Sequence, residues 1–89
     1  MLFRSAAKGH VKVLEVLINK GQNVNEATLT NGWTALHLAA ELGRVEAVRW
    51  LLAHGARKDA RTTSGASKGS TALQIAEYKG KTEVANILR

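Results

Sequence analysis

The stretch Gly32-Trp33-Thr34-Ala35-Leu36-His37-Leu38-Ala39-Ala40, followed by Gly43 and then by Val48-Arg49-Trp50-Leu51-Leu52-Ala53-His54-Gly55-Ala56, decides the fold. It contains two short apolar runs at helical spacing, each closed by a glycine. Thr34 stands just before the first run, where its hydroxyl can accept from the free N–H groups of a first helical turn. Asn31-Gly32 ahead of it is a turn signal. Gly43 falls where the first helix must stop and the chain reverse, a place that needs positive φ and therefore glycine. Helices this short cannot stand alone in water, so the pair must bury its apolar face against neighbours of the same kind.

Those neighbours are in the chain. Leu2, Ser5, Ala6, Gly9, Val11, Leu14, Val16, Leu17 and Gly21 return 34 residues later as Leu36, Ala39, Ala40, Gly43, Val45, Val48, Trp50, Leu51 and Gly55. A shift of 37 then carries Thr34-Ala35-Leu36-His37 to Thr71-Ala72-Leu73-Gln74, Gly43 to Gly80, and Trp50-Leu51 to Ile87-Leu88. The three extra residues lie between Thr62 and Gly69, in a Gly/Ser-rich stretch where an insertion costs little. The pattern predicts helices over 2–8 and 12–19, 35–42 and 45–53, and 72–79 and 82–88. Thr71 and Gln74 match the capping box, in which each end satisfies a donor of the other. The segment from Thr62 to Gly69 is expected to be the most mobile internal part of the chain.

The chain has 89 residues, 45% of them apolar and 22% charged, enough for one small domain and too little for a multidomain enzyme. With no cysteine, neither a disulfide framework nor a thiolate zinc site can form, and an intracellular setting, cytoplasmic or nuclear, is expected. No apolar run approaches the ~20 residues that span a bilayer, so no membrane association is expected. Residues 1–8 are basic and free of acids like the start of a presequence, but they keep register with the second unit and read as its helical counterpart. The net charge is +6, and its densest excess lies in residues 55–70, where Arg57, Lys58, Arg61 and Lys68 face only Asp59. Such a patch suits acidic partners or phosphate backbones.

The Gly32 to Ala56 stretch closely resembles the ankyrin repeat, and the resemblance extends over the whole chain. It implies an all-α repeat solenoid of stacked helix-turn-helix units joined by β-hairpin fingers. The chain then reads as a single domain, 1–89, with units of about 1–30, 31–67 and 68–89, the first and last partial. Such units need about three copies for stability, so a fragment of a longer protein is expected, the alternative being a minimal domain of marginal stability. Ala35 and Ala72 stand where the family has proline, Lys58-Asp59 departs from the family's exit sequence, and Gln74 replaces its histidine. The resemblance gives His37 a structural role, hydrogen-bonding within and between repeats. It also implies a non-catalytic protein-binding module whose contacts are the residue after the finger glycine and the two residues after the Ala-Ala pair. By position these are Trp33 and Ser70, Ala7 and Lys8, Glu41 and Leu42, and Tyr78 and Lys79.

Trp33 is expected to stand exposed as a hot-spot anchor, the alternative being an indole folded back onto the neighbouring finger. Trp50, equivalent to Val16 and Ile87, is expected to be largely core. Apolar anchors with a basic rim suit a partner protein segment that is apolar with acidic flanks. A monomer is expected. The competing class is a nucleic-acid or phosphate-binding element on the 57–68 finger, disfavoured by the lack of interleaved aromatics or a recognition-helix motif. Gly65-Ala66-Ser67-Lys68-Gly69-Ser70-Thr71 fails as a phosphate loop in spacing and in lacking a preceding strand. His10, His37 and His54 fit no short ligand motif, so no metal is expected. Nothing forms a nucleophilic triad or a carboxylate pair, so neither catalysis nor a cofactor is expected.

Overall fold

The computed structural model describes residues 2–89. Six helices follow in chain order: α1 (Leu2–Lys8), α2 (Val11–Asn19), α3 (Ala35–Glu41), α4 (Val45–Ala53), α5 (Ala72–Tyr78) and α6 (Thr82–Leu88). They match the sequence expectation to within one residue at each end. Leu42 and Lys79, expected as last helical residues, are instead the C-caps of α3 and α5. Thr34 and Thr71 start α3 and α5 with complete capping boxes. None of the helices is long and apolar enough to cross a membrane.

Helices α1, α3 and α5 pack side by side in one row, and α2, α4 and α6 form a second row against them. Between the rows lie Leu14, Leu36, Val48, Leu51 and Val84, with Ala6, Ala39, Ala40 and Ala76 lining the first row. The alanines let neighbouring first helices approach closely, which is why these runs are alanine-rich. The second row is packed less fully. Trp50, expected in the core, is only half-buried, and its indole lies stacked on the His54 ring with centroids 3.8 Å apart. Its equivalent Val16 is also exposed. The physical reason is that α2, α4 and α6 pack closely on the first row but only loosely on one another, so the outer edge of their apolar face stays in water.

Polar bonds tie each unit to the next. The Arg44 guanidinium donates from Nε to the Ala7 carbonyl at 2.7 Å, filling an open acceptor at the end of α1. The Asn25 carboxamide donates to the Gly55 carbonyl at 3.0 Å and accepts from the Arg57 N–H at 2.8 Å. Ser64 donates to the Thr30 carbonyl and the Thr63 N–H to the Asn31 carbonyl, joining the two fingers.

The first finger is a minimal hairpin. Ala27 and Thr34 form one isolated antiparallel bridge, and the Thr28 N–H donates to the Trp33 carbonyl at 2.9 Å. The second finger repeats this closure across three more residues, with the Thr62 N–H on the Ser70 carbonyl and the Gly69 N–H on the Thr62 carbonyl. Thr62 is itself buried. The inserted residues are therefore held inside a hydrogen-bonded turn. These bonds lie at the base of the segment expected to be the most mobile, and its tip around Gly65 and Ala66 stands exposed.

Candidate protein interface

The interface begins with how each finger is fixed to the helix behind it. His37 is 1% exposed. Its Nδ1 accepts from the Thr34 N–H at 3.0 Å, and its Nε2 lies 3.1 Å from the Ser70 carbonyl of the next unit. Only the neutral imidazole with its proton on Nε2 satisfies both contacts. Burial holds its pKa below the ordinary imidazole value, partly opposed by the Ser70 and Ala60 backbone groups. The expected structural role of His37 thus has a concrete form, a cap for α3 and a pin for the finger of the following unit.

In front of α3 lies a groove of about 300 Å³ walled by Thr28, Thr30, Asn31, Trp33, Leu38 and Glu41. Trp33 does not stand out from it. Its indole is 9% exposed and lies tilted against the His37 ring, centroids 5.8 Å apart. The expectation of an exposed anchor is therefore corrected. The residue after the finger glycine turns its side chain back between finger and helix, where Leu38 and the His37 ring offer an apolar seat.

In front of α5 a second groove of about 480 Å³ is walled by finger residues 66–70 together with Gln74, Ile75, Tyr78 and Lys79. The structure brings Lys68, Ser70, Tyr78 and Lys79 together here. Tyr78 is 85% exposed, and the Lys79 ammonium sits 5.8 Å from its ring centroid. Lys79 also reaches back 3.9 Å to the Glu41 carboxylate, linking this groove to the one in front of α3. Leu42, the C-cap of α3 and the repeat equivalent of Lys79, is exposed. Lys8 is exposed but borders a different depression, near Gly9, Gly43 and Arg44 at the inter-helix turns. Ala7 is half-buried.

The basic residues separate. Lys68 lines the α5 groove. Arg61 instead spends its guanidinium on the Gly69 carbonyl at 2.8 Å, bracing the finger. Arg57 and Lys58 are exposed in the segment leading to it. The sequence reading missed Leu29, which is fully exposed at the tip of the first finger. The available signal was an apolar residue inside a Thr-Leu-Thr-Asn-Gly turn too short to bury it. Among the described residues no group of His, Asp or Glu is arranged to hold a metal ion.

The family profile for ankyrin repeats, in three copies, matches residues 2–89. The chain belongs to the ankyrin repeat family. It is 44% identical over 66 residues to the 2-5A-dependent ribonuclease of Mus musculus, covering 74% of this chain and 9% of that protein. It is 36% identical over 84 residues to the NAD-capped RNA hydrolase NUDT12 of Homo sapiens, covering 94% of this chain and 17% of that protein. The crystal structure of the human ASB11 ankyrin repeat domain superposes with a TM-score of 0.83 at 34% identity, over 98% of this chain and 37% of that chain. The chain thus spans only 9% and 17% of the length of these two curated relatives. What they share with it is ankyrin repeats, a non-catalytic fold that generally serves as a protein–protein interaction module.

Proposed function

We propose that this ankyrin repeat chain is a non-catalytic module that binds an apolar, acid-flanked segment of another protein along its fingers and first helices. The observation that carries the reading is the row formed by Leu42, Tyr78 and Lys79, with Glu41, Ser70 and Lys68 beside it. Tyr78 and Leu42 are exposed at 85% and 42%, so the core does not need them there. An exposed aromatic and an exposed leucine ringed by ammonium groups form a patch that can be desolvated by an apolar segment and steered by its acidic flanks. Trp33 lines the neighbouring groove with Glu41, while Lys8 borders a separate depression and adds only positive charge. Arg57, Lys58 and Arg61 contribute long-range attraction. The module works as a monomer, and its cysteine-free sequence suits a cytoplasmic or nuclear setting.

The test is an affinity pull-down comparing the wild type with a Leu42→Ala, Tyr78→Ala double variant of equal melting temperature. Loss of the captured protein in the variant is expected, and undiminished capture overturns the placement of the row. A salt titration against a short single-stranded oligonucleotide examines the competing class. Tight binding that falls log-linearly with salt would favour a phosphate-binding element instead.

A further inference from the structure

The two grooves are the same feature in successive repeats. A shift of 37 residues takes Thr30 to Ser67, Asn31 to Lys68, Leu38 to Ile75 and Glu41 to Tyr78, and each pair lines the corresponding groove. The residue that differs most in bulk is Trp33, whose counterpart is Ser70. The backbone under the two residues is the same. The Trp33 N–H donates to Thr28 Oγ1 at 3.1 Å and the Ser70 N–H to Thr62 Oγ1 at 3.2 Å, while the carbonyl of each accepts from the threonine N–H opposite. The finger is thus closed in the same way in both repeats, with Leu38 and the His37 ring behind Trp33, and Ile75 and Gln74 behind Ser70. In one the space behind the finger holds the chain's own indole. In the other it is open, and the groove is correspondingly larger, about 480 against 300 Å³.

We propose that the groove between the 62–70 finger and α5 receives one aromatic side chain of the bound protein segment, seated as Trp33 is seated one repeat earlier, with acidic neighbours facing Lys68 and Lys79. This rests on the protein-binding reading above and adds the side chain and the place. Ile75 supplies the apolar floor that Leu38 supplies to Trp33. Tyr78 supplies an exposed ring against which a second ring can pack offset or edge-on. Lys68 and Lys79 border the opening, both exposed. Lys79 is held by Glu41 only at 3.9 Å and in partly exposed surroundings, an ion pair that a partner carboxylate can replace at little cost. Gln74 stands where His37 lies against the indole, and its carboxamide oxygen is taken by the Thr71 N–H at 2.9 Å, so it braces the helix without filling the groove.

The experiment uses two short capped peptides, Asp-Glu-Trp-Glu and Asp-Glu-Ala-Glu, titrated into the isotopically labelled chain. The tryptophan peptide is expected to shift the backbone amides of Lys68, Gly69, Ser70 and Tyr78, and the alanine peptide to bind at least tenfold more weakly. Ser70→Trp, which supplies the missing indole from within, is expected to abolish binding while leaving the melting temperature equal or higher. The assignment is overturned if the tryptophan peptide shifts amides elsewhere, if both peptides bind alike, or if a folded Ser70→Trp chain binds as the wild type does. Should Ser70→Trp not fold, the wild-type shift map and the peptide comparison decide alone. If the groove fails these tests while Leu42→Ala, Tyr78→Ala still loses its captured protein, the aromatic seat is wrong and the broader interface stands. If the double variant also loses nothing, both fall.

Discussion

His37 and Gln74 occupy the same repeat position and close the same capping box, yet only His37 reaches the next unit, through Nε2 and the Ser70 carbonyl. His37→Ala should therefore cost about 1–3 kcal/mol, because it leaves buried donors and an acceptor unmatched. The pH dependence has a definite sign. Burial sets the folded pKa below the ordinary 6.5, so between the two values the unfolded chain holds a proton that the folded chain does not. The stability linked to His37 is complete above about pH 6.5 and falls as pH is lowered through that window. His37→Gln keeps a side chain that caps as Gln74 does but cannot titrate. Thermal melts should show wild type above His37→Gln at pH 7.5 and the gap narrowing at pH 5, and a constant gap would contradict this account. Trp33→Ala should lower stability by about 3 kcal/mol, the low end for a core tryptophan, measured by denaturant unfolding. The seat of Trp33 was not legible in the sequence, since the family position places the residue on the finger but not the direction of its χ angles. The role of His37 was legible because the resemblance places a hydrogen-bonding histidine at this repeat position, although its Ser70 partner was not.

At the scale of elements, the helices were readable to within a residue because helical periodicity is joined by threonine caps at α3 and α5 and by glycines at the inter-helix turns. The fingers were less so, because their order comes from bonds between segments that composition does not encode. Thr62, Thr63, Lys68, Gly69 and Ser70 all donate from the backbone, whereas the Gly65 and Ala66 N–H groups meet no backbone acceptor among the described residues. Hydrogen exchange should accordingly find the base of the second finger protected and its tip fast. The packing of finger against finger also predicts an ordering of glycine variants. Gly32 has φ +69°, and a Cβ there would meet the Thr63 backbone nitrogen at 3.0 Å and its side chain closer still. Gly55 has φ +93° with open space around it. Gly55→Ala should cost about 1–2 kcal/mol from backbone strain alone, and Gly32→Ala distinctly more, as shifts in denaturation midpoint.

At the scale of the whole molecule, three short units form a slab of 32 × 27 × 19 Å held by neighbour-to-neighbour packing. The same translation that stacks the core also aligns the side chains it does not use. This is why the sequence can propose Glu41, Leu42, Tyr78 and Lys79 as a row, while the difference between a filled and an open groove required the fold. The composition explained the positive charge but not its division, in which Arg61 serves the finger and Lys68 the groove. In the proposed interface this row recognises an aromatic residue with acidic flanks. Selection of binders from a random peptide library against the wild-type chain measures it most directly. Enrichment of an aromatic residue bracketed by Asp or Glu, lost against Tyr78→Ala, is the predicted result, and enrichment of unrelated or basic peptides, or binding indifferent to Tyr78→Ala and Leu42→Ala together, would contradict it.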